Sequence, residues 1–308
     1  MNRLIVFSLL TIILSCQNTN NLKYPTTEKM VVIDSYFETD IQDPYRWLED
    51  DLSEETMDWV NNQNKTTFNY LNSIPYKKNI KKRLEQIWNY EKRTSPFNEG
   101  DYTYYYKNNG LQNQYVVYRK KDSEDEEVFL DPNSFSEDGT ISLTGLDFSK
   151  NGKLVSYSIS EGGSDWRKVV VMDTETKEII GDTLTNIKFS GISWENNDGF
   201  FYSSYDKPEG SELSEMTDNH KLYYHKLNTD QNQDKLIFGG KSTDKYRYVS
   251  SSVSEDNKYL FITASNLTDG NKLFVMNLTK DSNNIEVVSD DETTDDYVIE
   301  TDGNTFYI

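Results

Sequence analysis

The chain of 308 residues carries a net charge of −20, and 35% of its residues are apolar and 13% aromatic. So negative a surface repels phosphate backbones and anionic lipid head groups, which argues against nucleic acid as a partner. The 22 tyrosines and 14 phenylalanines exclude a disordered chain, because a solvated coil does not accommodate so many apolar rings. The composition therefore indicates a sheet-rich globular protein, and the length allows about two domains.

The first sixteen residues, MNRLIVFSLLTIILSC, have the pattern of an export signal. Arg3 supplies the positive end, and the apolar run over residues 4–14 is too short to span a bilayer as a stable helix. The run ends in ILSC, which resembles the cleavage box of bacterial lipoproteins, in which the cysteine receives a lipid. We predict a lipoprotein-type signal peptide over residues 1–16, lipidation of Cys16, and a polar tether over residues 17–23.

This signal predicts an exported protein, located in the periplasm or anchored to the outer membrane. The lipid on Cys16 would be its only attachment to a membrane. The alternative is a plain cleaved signal with an incidental thiol. Cys16 is the only cysteine of the chain, so an internal disulfide is excluded.

Residues 43–90 have a helical pattern. After the entry segment DPYRWLEDD, apolar residues recur at helical multiples at Met57, Val60, Phe68 and Leu71. Asp51 and Glu54 have the spacing of a capping box, which predicts Asp51 as the N-cap. Pro75 separates this helix from a second one, whose apolar side is formed by Ile80, Leu84, Ile87 and Trp88.

After Pro96 the helical period gives way to short alternating runs such as KLVSYSIS, KVVVMD and KYLFITAS. Each run is bounded by Asn, Asp, Gly or Ser, which is typical of antiparallel strands. A turn followed by an aromatic-rich strand recurs at steps of 46 to 58 residues, at Gly100, Gly152, Gly199, Asn257 and Gly303. A period of about 50 residues with several strands in each unit indicates the blades of a β-propeller.

The fifth of these units reaches only as far as Ile308, within its predicted first strand. A propeller must close its ring to cover its terminal blades, so we expect this chain to be the N-terminal part of a longer protein. The predicted fold is mainly β: a short helical segment over residues 24–95, then a partial propeller of about four blades over residues 96–308.

The segment SISEGGSDWRK raises the question of a serine nucleophile at Ser164. A nucleophile elbow needs a glycine on both sides of the serine, and Trp166 occupies the second position. The two histidines of the chain, His220 and His225, lie five residues apart in one strand-like segment, so they face opposite sides. We therefore interpret Ser164 as a turn residue and predict no catalytic residue and no metal site in this chain.

Long motifs follow one another along the chain. They are YPTTEKMVVIDSYFETDIQDPYRWLEDD (24–51), IWNYEKRTSPF (87–97), EVFLDPNSFSEDGT (127–140), YSISEGGSDW (157–166), KFSGISW (188–194), GFFYSSYD (199–206) and TDNHKLYYHKLNTDQNQD (217–234). This set resembles the prolyl oligopeptidase family, most closely its bacterial secreted members. The motifs occur in family order, and the resemblance covers nearly all of the chain from residue 22.

This resemblance implies a seven-bladed propeller joined to a C-terminal α/β-hydrolase domain, which is absent from this chain. That domain carries a Ser/Asp/His triad and needs no cofactor, and the enzymes hydrolyse short peptides on the carboxyl side of proline. The implied partners of this chain are proline-containing oligopeptides and the hydrolase domain of the same protein. The 308 residues alone should be inactive, and their blades should control access of peptides to the triad.

The resemblance also implies substrate-binding residues. Phe189, in KFSG, matches an aromatic residue that lines the pocket for the residue two before proline; the alternative is an ordinary core aromatic of a blade. Tyr248 lies where some members place another apolar pocket residue. Ser265 stands where some members have an arginine that binds a substrate carbonyl, which puts in doubt how this protein anchors a peptide.

A function of another class remains open at this point. A lipid-anchored propeller that binds a glycan or an envelope protein, without catalysis, would share the blades and the export signal, because propeller folds support many functions. The helical segment with DPYRWLEDD favours the peptidase, because a propeller that folds alone does not need it.

Overall fold

The computed structural model describes residues 22–207, 213, 217–241, 245–280 and 284–308. The predicted signal peptide, Cys16 and most of the predicted tether lie outside these residues, so their predictions stay predictions. The chain divides into two compact units, Met1–Gln86 and Ile87–Ile308. Within the described ranges, no helix combines the length and the apolar character needed to cross a membrane.

The first unit contains a β-hairpin and helical residues. Strands β1 (Ile33–Tyr36) and β2 (Thr39–Gln42) pair antiparallel. Their turn, Phe37 and Glu38, has positive φ at both residues, although neither is the glycine or asparagine that usually marks such a turn. The sequence analysis predicted no strand in this segment. Helix α1 spans Glu54–Ser73, and helix α2 spans Lys77–Trp88 and continues into the second unit.

The N-terminus of α1 corrects one prediction. Ser53 is the N-cap, and its side chain accepts a hydrogen bond from the backbone N–H of Thr56 at 3.1 Å. The prediction of Asp51 as the cap was wrong, because the helix begins at Glu54 and Ser53, directly before it, supplies the capping side chain. In the described part of the chain, Asp51 Oδ1 is buried and has no hydrogen-bond partner.

The second unit consists of four antiparallel sheets and a final hairpin. The first blade contains β3 (Lys92–Arg93), β4 (Phe97–Glu99), β5 (Tyr102–Asn108), β6 (Val116–Lys120) and β7 (Glu127–Leu130). The second contains β8 (Ile141–Phe148), β9 (Leu154–Glu161), β10 (Trp166–Asp173) and β11 (Ile179–Lys188). The third contains β12 (Ser193–Glu195), β13 (Gly199–Ser204), β14 (Lys221–Lys226) and β15 (Lys235–Phe238).

The fourth blade contains β16 (Tyr248–Val253), β17 (Tyr259–Ser265), β18 (Lys272–Asn277) and β19 (Ile285–Ser289). The final hairpin consists of β20 (Glu300–Asp302) and β21 (Thr305–Tyr307). In the second, third and fourth blades each strand pairs with the next one along the chain, as in a meander. The predicted propeller blades are confirmed, but the fifth unit extends into its second strand rather than ending within its first.

The turn repeat seen in the sequence marks one place in every blade. Its residues lie at or directly beside the turns that join β4 to β5, β8 to β9, β12 to β13, β16 to β17 and β20 to β21: Gly100, Gly152, Gly199, Asn257 and Gly303. The first two of these turns touch, because a Cβ added to Gly152 would lie 2.3 Å from the backbone nitrogen of Gly100. A bond from the backbone N–H of Asn196 to Asn257 Oδ1, at 3.0 Å, joins the third turn to the fourth.

The hydrophobic core lies between consecutive blades. Phe200 and Phe201, neighbours on β13, face opposite sides of their sheet. Phe200 packs in a cluster with residues of the second blade such as Val169, and Phe201 packs in a cluster with residues of the fourth blade such as Leu260. Each central strand is therefore buried on both faces, which explains why KVVVMD, expected as an alternating run, has four consecutive apolar residues.

One strand of each blade, β4, β8, β12 and β16, lines a common cavity of about 550 Å³. Its lining is largely polar and includes Glu99 of β4, Asp147 of β8, Ser193 of β12 and Ser252 of β16. Convergence of one strand from every blade on a single space is the arrangement expected around a propeller channel.

Candidate substrate-binding surface

Ser164 lies in the hairpin turn between β9 and β10. Gly162 and Gly163 have φ values of 60° and 78°, which a residue with a side chain rarely adopts. The Ser164 hydroxyl accepts a hydrogen bond from the backbone N–H of Trp166 at 3.1 Å, as turn serines do. The interpretation of Ser164 as a turn residue is confirmed.

The two histidines have other partners. His225, on β14, is buried, and its Nδ1 lies 2.8 Å from Asp234 Oδ1. His220, just before β14, is fully buried and lies between a backbone carbonyl and a backbone N–H group. In the part of the chain that the structure describes, neither ring forms a hydrogen bond with a serine hydroxyl.

Phe189 and Tyr248, the two residues predicted to bind substrate, lie next to each other. Phe189 directly follows β11 of the second blade, and Tyr248 begins β16 of the fourth blade. Their ring centroids are 6.1 Å apart, and the rings are tilted by 57°. Phe189 is 41% exposed and Tyr248 38% exposed, so Phe189 is not the ordinary core aromatic of the alternative interpretation. The pair forms an apolar surface that a ligand could contact.

Tyr205 contacts the ring of Phe189 and the backbone next to Tyr248. Its buried ring meets Phe189 edge-on at 6.3 Å and stacks on His220 at 4.3 Å. The Tyr205 hydroxyl donates a hydrogen bond to the carbonyl of Arg247, the residue before Tyr248. Burial raises the pKa of Tyr205 to about 12, so the hydroxyl stays protonated and remains a donor at neutral pH.

The backbone at Phe189 is fixed on both sides. Phe189 has a φ of 52°, in the left-handed region that costs a phenylalanine about 1 kcal/mol. The carbonyl of Lys188 receives a hydrogen bond from His220, and the hydroxyl of Ser190 accepts one from the N–H of Ser203 at 2.7 Å. The Lys188 ammonium group lies 5.3 Å from the centre of the Phe189 ring, within cation–π range.

His220 is neutral in this environment. Burial lowers its pKa to about 4, because the ring would have to carry a charge away from water. The sequence analysis considered His220 only as a possible base, and no motif indicated that it lies next to Phe189 and Tyr248. Its hydrogen-bond partners are backbone groups of the two neighbouring blades, so only the folded structure shows this position.

Ser265 lies opposite Tyr248 in the β16–β17 ladder. Its carbonyl accepts the backbone N–H of Arg247 at 3.1 Å. Ser265, which the sequence analysis expected to stand where some family members have an arginine, therefore lies beside the pair of Phe189 and Tyr248.

The cavity between the blades contains carboxyl groups with altered acidity. Burial raises the pKa of Asp147 to about 6, although Arg167 opposes the shift. Burial also raises the pKa of Glu99, and repulsion from Glu255 acts in the same direction. The cavity therefore has a largely polar lining with several carboxyl groups, in contrast to the apolar surface at Phe189 and Tyr248.

Comparison with known proteins identifies the fold and its origin. A family profile described as "Prolyl oligopeptidase, N-terminal beta-propeller domain" matches residues 24–308. The chain belongs to the prolyl oligopeptidase family. It is similar to the prolyl endopeptidases of Elizabethkingia miricola and Elizabethkingia meningoseptica, at 53% and 52% identity over 297 residues. Each match covers 96% of this chain but 42% of the relative, so the chain spans less than half of these enzymes.

Solved structures agree with this assignment. Prolyl oligopeptidase B from Galerina marginata, bound to a 35mer hydrolysis and macrocyclization substrate, matches with a TM-score of 0.78 at 27% identity. That match covers 92% of this chain and 44% of the other one. Oligopeptidase B from Leishmania major, at 16% identity and a TM-score of 0.71, shares the fold.

Proposed function

We propose that this chain is the propeller part of a serine endopeptidase that hydrolyses short peptides on the carboxyl side of proline. The observation that carries the proposal is the family match, in which the most similar relatives reported above are prolyl endopeptidases. The partly exposed pair of Phe189 and Tyr248 supports it, because a peptide substrate needs an apolar surface near the bond that is cleaved.

The chemistry belongs to the hydrolase domain that accompanies this propeller in the family. There a serine attacks the carbonyl of proline, a histidine transfers the proton, and oriented donors stabilise the oxyanion. The present chain would bind and select the substrate. Phe189 and Tyr248 would contact the residue two before proline, while the blades would admit only short and flexible peptides.

Helix α2 would contribute to the contact with the hydrolase domain. Its apolar side chains are each at least half exposed in this chain: Ile80, Leu84, Ile87 and Trp88. They recur at helical spacing and so form one apolar stripe. A stripe of this kind is costly in water, and a domain of the same protein would cover it.

We also propose that Cys16 carries a lipid that anchors the exported protein to a membrane. The support is the ILSC box after a short apolar run. In detergent phase separation, the protein that retains Cys16 should enter the detergent phase, and the Cys16→Ala variant should move to the aqueous phase. Equal partition of both forms would instead support simple secretion.

The test of the peptidase proposal uses the full-length protein that contains this chain. Two chromogenic substrates, N-blocked Phe-Gly-Pro and Gly-Gly-Pro p-nitroanilides, differ only at the residue two before proline. We expect turnover of both substrates, with a higher kcat/KM for the phenylalanine substrate. In Phe189→Ala this preference, the ratio of the two kcat/KM values, should fall about tenfold. Tyr115→Ala is the matched control, because Tyr115 is 40% exposed and lies on the first blade.

The result also distinguishes the two classes of function. No turnover of either substrate by the intact protein would contradict the peptidase proposal and favour a binding propeller. Turnover with an unchanged preference in Phe189→Ala would retain the peptidase and remove Phe189 from its substrate site.

A further inference from the structure

His220 connects the two halves of the aromatic pair. Its Nε2 lies 2.9 Å from the carbonyl oxygen of Lys188, and its Nδ1 lies 2.9 Å from the backbone nitrogen of Val249. Lys188 directly precedes Phe189, and Val249 directly follows Tyr248. One side chain of the third blade thus holds the end of a strand in the second blade and the start of a strand in the fourth.

The two partners determine the tautomer of the ring. A carbonyl oxygen only accepts a hydrogen bond, so Nε2 carries the proton and donates it. A backbone N–H only donates, so Nδ1 is unprotonated and accepts. A neutral ring satisfies both partners at once, whereas a protonated ring would face the N–H of Val249 with a second donor.

The same ring is fixed in turn by its surroundings. The backbone N–H of His220 donates to the carbonyl of Tyr246 at 2.8 Å, and the ring stacks on Tyr205 at 4.3 Å. The side chain is fully buried. With so little freedom, the positions of its two nitrogens set the distance between Lys188 and Val249.

We infer that His220 is a positioning residue, which sets the spacing of Phe189 and Tyr248 and thereby the selectivity of the enzyme for the residue two before proline. This inference rests on the proposed function, in which those two rings contact the substrate. His220 itself does not touch the substrate, and it acts through the backbone on either side of it.

The two hydrogen bonds of the His220 ring, to Lys188 and to Val249, can be removed separately. In His220→Asn, the side-chain oxygen replaces Nδ1 and can still accept from Val249, while the bond to Lys188 is lost. In His220→Gln, the longer amide reaches the position of Nε2 and can still donate to Lys188. His220→Leu removes both bonds and retains most of the buried volume.

The experiment measures the preference of the full-length enzyme for the blocked Phe-Gly-Pro over the Gly-Gly-Pro p-nitroanilide, as a ratio of kcat/KM values. We expect His220→Leu to lower this ratio about tenfold, and the Asn and Gln variants to lower it less. Adding Phe189→Ala to His220→Leu should lower the ratio no further. Both changes act on the same contact, the one between the Phe189 ring and the substrate residue two before proline.

His225→Asn is the matched control. His225 lies on β14, which begins directly after His220; it is also buried and also forms a hydrogen bond, but to Asp234. We expect this variant to lose thermal stability and to keep the preference. A loss of preference that follows the melting temperature in both histidine variants would overturn the positioning role.

Failure of this inference can be told apart from failure of the proposed function. If Phe189→Ala lowers the preference but no His220 variant does, the proposed function stands and the positioning role is wrong. If Phe189→Ala leaves the preference unchanged, the substrate site is misplaced and the inference fails with it.

Discussion

Phe189 has a conformation that is unfavourable for a side chain with a Cβ, with a φ of 52°. Glycine would relieve this cost, whereas alanine would retain it. We therefore expect Phe189→Gly to be more stable than Phe189→Ala by about 1 kcal/mol, although both lose the ring contacts. Urea unfolding of the two variants measures the difference.

The control for this prediction is Tyr248, which lies in a strand and has no positive φ. There glycine should be less stable than alanine, because it loses more backbone entropy on folding. The same order at both positions would contradict the strain that we assign to Phe189.

Asp147 predicts a pH dependence of stability. Burial raises its folded-state pKa to about 6 from the ordinary value of 3.8, so the folded state favours the neutral carboxyl. Its contribution is therefore fully present below pH 3.8 and is lost as the pH rises through about 6. We expect Asp147→Asn to gain on the order of 3 kcal/mol at pH 7 and almost nothing at pH 3, by urea unfolding. An equal gain at both pH values would contradict the assigned pKa.

The sequence predicted the two aromatic residues of the candidate site, but not the histidine that lies between their backbone segments. Phe189 and Tyr248 were predicted as substrate-binding residues from the family resemblance, and the structure places their rings 6.1 Å apart. His220 was not found, because its partners are backbone groups of Lys188 and Val249, which no side-chain pattern records. Its role depends on three blades meeting at one point.

The contact between the first two blade turns makes a prediction about the elements. Gly152 has a φ of 67°, and a Cβ there would lie 2.3 Å from the backbone of Gly100. Gly162 has a φ of 60°, and a Cβ there would meet nothing within 4 Å. Both alanine variants carry the same backbone cost of about 1 kcal/mol, so the difference between them isolates the clash.

We expect Gly152→Ala to lower the free energy of unfolding by at least 2 kcal/mol more than Gly162→Ala does. Denaturant unfolding followed by tyrosine and tryptophan fluorescence measures both. Equal losses would mean that the turns of neighbouring blades separate easily and that their contact contributes little to stability.

Elements with a strong period were predictable, and those fixed by unusual turns were not. The blades were predicted because short apolar runs are bounded by turn residues and these turns recur at steps of 46 to 58 residues. The hairpin of β1 and β2 was missed, because Phe37 and Glu38 give no turn signal. The capping error at Asp51 arose because two candidate caps lie two residues apart, and spacing alone does not choose between them.

For the whole molecule, the 308-residue chain alone should not hydrolyse proline peptides. The hydroxyl of Ser164 accepts from the N–H of Trp166, and His220 and His225 are bonded to groups other than serine in the described ranges. Release of p-nitroaniline from blocked Gly-Pro p-nitroanilide tests this. Turnover that is blocked by a serine-protease inhibitor and lost in Ser164→Ala would contradict our interpretation of the turn.

The same chain should associate with itself in solution. The final hairpin presents exposed apolar side chains at Ile299, Tyr307 and Ile308, and strand edges with apolar neighbours pair readily with other chains. We expect the mean mass from static light scattering to rise with protein concentration, and the full-length protein to show no such rise. A monomer at all concentrations would show that the last hairpin is adequately covered.

The bond from Val249 to His220 has a consequence for the exchange of backbone hydrogens with solvent. β16 pairs with β17 on one side only, so its other edge relies on the third blade. The buried N–H of Val249 donates to the His220 side chain of the third blade rather than to a neighbouring strand of the fourth blade. Its exchange rate therefore reports separation of the third and fourth blades while each stays folded, whereas exchange at Ile262, central in β17, requires the fourth blade to open.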